Sequence, residues 1–153
     1  MKTPNVVKFL QFATKTILQE EDNINPMGFV ITPKGIGMVP LPFQDKSQAL
    51  KVFGSAIKQS NSEEAVLVVD VVTKAYEPNQ KPISPLLLSE TERDNAILML
   101  HVEVKDHKDL NFHLYMQPYV KAMEGYAFAD KMISSDRIDE AFTGSIKEGF
   151  LTN

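Results

Sequence analysis

Residues 65–72 read Ala65-Val66-Leu67-Val68-Val69-Asp70-Val71-Val72, and no longer or more apolar run occurs in the chain. β-Branched and apolar residues fall on both parities, the pattern of a strand covered on both faces. The run is therefore expected to be the central strand of a single sheet. On the N-terminal side, residues 45 to 59 suit a helix. Asp45 or Ser47 can cap it, Leu50, Phe53 and Ile57 form its inner stripe, and Gly54 weakens it slightly. Before it, residues 27–32 and 36–41 flank Pro33-Lys34-Gly35, which predicts a hairpin with a tight, bulged turn. Pro40 and Pro42 cannot donate to a ladder, so the second arm should lie at an edge or stop early. Residues 5 to 21 place Val6, Leu10, Ala13 and Ile17 three or four apart, with Phe9, Phe12 and Val7 widening the stripe, and read as an amphipathic helix.

On the C-terminal side, residues 77 to 94 form a long Pro-rich loop containing Leu86-Leu87-Leu88 and Ser89-Glu90-Thr91-Glu92-Arg93-Asp94. Glu90, Glu92, Arg93 and Asp94 make it a candidate contact loop, although a solvated, capped loop explains the same residues. Residues 95–105 then alternate, with Ala96, Leu98, Leu100, Val102 and Val104 on one face. Residues 111–119 alternate again, with Phe112, Leu114 and Met116. The two runs predict a second hairpin across Asp106-His107-Lys108-Asp109. Residues 126–133 read as a short strand or a loop. Ser134-Ser135-Asp136 suits the cap of a last helix through Ile138, Ala141, Phe142 and Ile146, with Gly144 and Gly149 suggesting a short helix and a loose tail.

The second hairpin yields a candidate site by parity. Its apolar residues are even-numbered on both strands, so packing them on one face requires an even pairing sum. That places His101, Glu103, His113 and Tyr115 together on the opposite face. A sum of 214 sets His101 against His113, and a sum of 216 sets Glu103 against His113. Two imidazoles and a carboxylate can bind a divalent metal, with His101, Glu103 and His113 as ligands, or form an acid/base pair. The plainer explanation is that a half-buried sheet shows such residues to water. Asp70, in the apolar row with Val66, Val68 and Val72, is a second candidate. A carboxylate there needs a partner or carries a raised pKa.

Composition bounds these readings. The 153 residues are 43% hydrophobic and 24% charged with a net charge of −4, so they fit one domain (1–153) and give no global field favouring nucleic acid or membrane. The absence of cysteine removes disulfides, thiolate metal sites and cysteine nucleophiles. No serine elbow, phosphate loop or paired-histidine helix motif is present. No cofactor is expected, and the location expected is cytoplasmic.

The segments Lys74-Ala75-Tyr76-Glu77, Pro82-x-Ser84 and Glu92-Arg93-Asp94-Asn95-Ala96 resemble a group of small bacterial and phage-associated α+β proteins, over about twenty residues. The inserted Leu86-Leu87-Leu88 departs from that pattern. The resemblance implies an architecture and carries no activity. Together these features lead us to expect an α+β fold with a mainly antiparallel sheet of about five strands. The N-terminal and central helices should pack on one face, with a short C-terminal helix at an edge. The function expected is a non-catalytic interaction or accessory protein with a protein partner or self-association through a sheet face or edge. The alternative is a small hydrolase or metal-binding protein using the His/Glu cluster.

Overall fold

Residues 65–68 are completely buried, as a doubly covered strand requires. In the computed structural model they belong to β3 (Glu64–Thr73), inside a sheet ordered β2-β1-β3-β4-β5-β6 with β7 also paired to β5. The other elements are α1 (Asn5–Glu21), β1 (Met27–Thr32), β2 (Gly35–Pro40), α2 (Lys46–Ser60), β4 (Asp94–Asp106), β5 (Asp109–Ala122), β6 (Gly125–Phe128), β7 (Ile133–Ser135) and α3 (Glu140–Leu151). The structure describes residues 4–21, 26–41, 45–73, 94–106, 109–122, 125–129, 132–135, 138 and 140–152. Every pairing is antiparallel.

The fold is α+β as expected, with more strands than expected: seven among the described residues, because the segment after β5 supplies β6 and β7. The first hairpin closes with Thr32 opposite Gly35 and an unbroken register, so no bulge is present. Gly35 has φ of 132°, a conformation that glycine adopts without strain. β2 lies at the sheet edge and ends at Pro40, where a missing N–H does least harm. The bulge occurs instead in the β4–β5 hairpin, between Val104 and Asp106.

The helices do not share one face. Val7 and Leu10 of α1 pack with Val66, Val68, Ile97, Met99, Tyr115 and Tyr119. Leu50, Phe53 and Ile57 of α2 pack with Ala65, Leu67, Leu100 and Val102 on the opposite side. A strand apolar on both parities needs two covers, and the two amphipathic helices each provide one. α2 begins at Asp45, whose carboxylate accepts from the Gln48 N–H at 3.1 Å, and ends at Asn61 in the left-handed region. α3 is not an edge element: Ile146 and Phe150 join the α2-side core.

Gly54 and Gly149 account for that third helix. A Cβ on Gly54 would lie 2.0 Å from the Ile146 carbonyl oxygen, and one on Gly149 would lie 2.0 Å from that of Lys51. The two glycines bring the backbones of α2 and α3 into contact, so they hold the C-terminal helix rather than loosening it.

Candidate functional site

The β4–β5 register has a sum of 214, and His101 faces His113 as parity allows. Both histidines, with Tyr115, lie on the α1 side of the sheet. The middle of that face is closed to water, while its end at Glu103 and Asn111 is exposed. His101 is only 3% exposed, and Ile97, Met99, Tyr115 and Gln117 beside it are buried. The expected exposed polar face is therefore, over its middle, a second core layer. Ile97, Met99, Tyr115 and Tyr119 occupy the same parity as the histidines, and α1 supplies the cover.

Polar groups in such a layer must find partners on folding. His101 Nε2 meets Glu64 Oε2 at 2.7 Å across the β3–β4 pair. The His113 and Tyr115 rings lie 4.7 Å apart. Gln117, fully buried, accepts from Gln11 Nε2 of α1 and donates to the carbonyls of Ala129 at 2.9 Å and Pro118 at 3.1 Å. One amide thus ties α1, β5 and the end of β6 together. At the far end of the layer, Tyr119 Oη donates to Asp70 Oδ1 at 2.7 Å. Tyr126 and Phe128 pack on Tyr119 with centroid separations of 5.6 and 5.9 Å. Burial pushes the Asp70 carboxyl above the ordinary carboxylate value, and the Tyr119 hydroxyl partly offsets the shift. Among the described residues no buried side-chain nitrogen or oxygen lacks a partner.

A cleft of about 500 Å³ opens beside the β4–β5 hairpin. Its lining includes His101, Glu103, His113 and Tyr115 from one face of the hairpin and Leu110, Phe112 and Ile138 besides. Glu103 is exposed and accepts from Lys105 Nζ at 3.3 Å. Asp70 does not join this group. It pairs with Ile97 whereas Val66 pairs with His101, so four strand steps, ~13 Å, separate the two places. Among the described residues no three His, Asp or Glu side chains converge as a metal-ligand set. Glu90, Glu92 and Arg93 lie outside the described residues, and Asp94 opens β4 opposite Thr73.

Sequence reasoning missed Gln117 and Glu64. Gln117 had a detectable signal, since it shares the parity of Tyr115 and Tyr119. Glu64 required the β3–β4 register, which no local pattern provides. No family model matches the chain, and comparison with curated proteins and with solved structures gives no match. Among the described residues no helix is long and apolar enough to cross a membrane.

Proposed function

We propose that this chain is a cytoplasmic, non-catalytic interaction protein that acts as a homodimer joined through the free edge of β2. The observation that carries the reading is the chemistry of that edge. Among the described residues β2 ends the strand order; it carries no charged residue and leaves Ile36 50% and Met38 67% exposed. Edge strands are ordinarily protected by charges, prolines or short length, and Pro40 guards only one end here. Two antiparallel copies of β2 meet about a two-fold axis, so one segment supplies both halves of the interface.

A binding role also agrees with how the buried and half-buried polar groups are used. His101, Asp70 and Gln117 are each held by internal partners that fix the α1 layer, which is a structural use of these side chains.

Sedimentation equilibrium from roughly micromolar to submillimolar protein tests the reading. The weight-average mass should rise from 17.2 kDa toward twice that value. Met38→Lys should hold the mass at the monomer value while changing stability by no more than about 0.5 kcal/mol, as at other exposed positions. A wild-type mass that stays monomeric throughout the range contradicts it.

A further inference from the structure

The hydrogen-bond parity of the first hairpin determines what β2 shows on its outer side. In an antiparallel pair, facing residues alternate between those that exchange both backbone bonds and those that exchange none. The two-residue turn Pro33-Lys34 closes on Thr32 and Gly35, the place of an exchanging pair. Ile31 and Ile36 come next and exchange none. The Ile31 carbonyl accordingly turns to the β3 side, where it accepts from the Glu63 N–H at 3.1 Å. Ile36, Met38 and Pro40 share one parity, so their backbone groups point away from β1.

Among the described residues no strand stands on that side. Ile36 and Met38 each present an N–H and a carbonyl there, whereas Pro40 presents a carbonyl beside its ring. Pro40 therefore takes no bond from the β1–β2 hairpin and acts only on what pairs outside it. The side chains follow the same alternation. Ile36 and Met38 lie opposite Ile31 and Phe29 and project on the α1 side, half or more exposed. Val39 projects on the other side, against the α2-side core.

We propose that Pro40 sets the register of the β2 homodimer, with Ile36 opposite Met38 of the second copy and the two-fold axis between the two Gly37 residues. The proposal rests on the homodimer reading and specifies its contact. With Met38 opposite itself, each Pro40 ring stands where an Ile36 carbonyl of the other copy needs a donor. With Ile36 opposite itself, Met38 faces Lys34, whose N–H is already given to Thr32 Oγ1 at 3.2 Å. With Ile36 opposite Met38, every outward N–H and carbonyl of these two residues meets its complement in the other copy. The same register gathers the Ile36 and Met38 side chains of both copies into one cluster on the α1 side, covering apolar surface that the single chain leaves open. A second β2 carries the required pattern by symmetry.

Disulfide trapping separates register from dimer, since the chain contains no cysteine of its own. Ile36→Cys, Met38→Cys and an equimolar mixture of the two, one carrying a mass tag, are oxidised at equal total protein. Facing residues of an exchanging pair stand about 5.5 Å apart between Cα atoms, within disulfide reach, and diagonal neighbours about 7–8 Å. The mixed disulfide should form at least about fivefold faster than either self-disulfide. In the Pro40→Val background the restored N–H favours Met38 opposite itself, so the Met38→Cys self-disulfide should become the fastest. A self-disulfide that outpaces the mixed one with Pro40 in place overturns the register and leaves the homodimer standing, as does an unchanged order in Pro40→Val. No disulfide in any sample overturns both.

Discussion

At the scale of single residues, parity was a sound guide and exposure was not. The even-to-even matching of β4 and β5 holds, with Leu100 opposite Leu114 and His101 opposite His113. The histidines are not on an exposed face because the odd positions are not one polar set. Ile97 and Met99 precede His101 on that face, and a face half apolar invites a cover. Asp70 shows the cost of the arrangement. Its folded-state carboxyl binds a proton more tightly than in the unfolded chain, because burial disfavours the charge. Stability from this group is therefore present below the unfolded pKa and is lost as pH rises through the folded one. Asp70→Asn keeps an acceptor for Tyr119 without the charge. The variant should be more stable than wild type at neutral pH, with the gap closing as pH falls below the ordinary carboxylate range. Urea unfolding across pH checks this. A variant less stable at neutral pH would mean that the ionised form is the one the fold favours.

At the scale of elements, β1 to β5 and α2 were legible because period and capping agree locally, whereas Ser134 and Ser135, expected to cap the last helix, lie in β7 and α3 begins at Glu140. Asp45 caps α2 as its position suggests, and Leu50, Phe53 and Ile57 face the core. The C-terminal helix was harder to place, because glycine has the same local effect whether it loosens a helix or lets another approach. Gly144 and Gly149 illustrate both outcomes within α3. A Cβ at Gly144 meets nothing within 4 Å, whereas at Gly149 it meets backbone at 2.0 Å. Gly144→Ala should stabilise the fold by about 0.5–1 kcal/mol through helix propensity. Gly149→Ala and Gly54→Ala should each destabilise it by roughly 3 kcal/mol or more, since backbone atoms must separate. Chemical denaturation of the three variants checks the ordering. Equal effects at Gly144 and Gly149 would contradict the helix contact.

At the scale of the whole molecule, β3 announced a doubly covered centre, but local sequence does not say which helix covers which face. Assigning both early helices to one face left the α1 side apparently open to water. In the structure α1 covers β3, β4, β5 and β6, the core beneath it takes in Phe29 and Ile31 of β1, and β2 beyond is left with Ile36 and Met38 exposed. Among the described residues, the uncharged edge of β2 on that wing has no neighbouring strand. The absence of cysteine makes its pairing directly measurable. Ile36→Cys and Met38→Cys place one thiol each on β2, and Thr16→Cys places one on the exposed side of α1 as a control. If a second copy closes β2, mild oxidation should cross-link at least one β2 variant into a dimer much faster than the control, in a concentration-dependent way. Cross-linking of both β2 variants no faster than the α1 control would contradict the dimer.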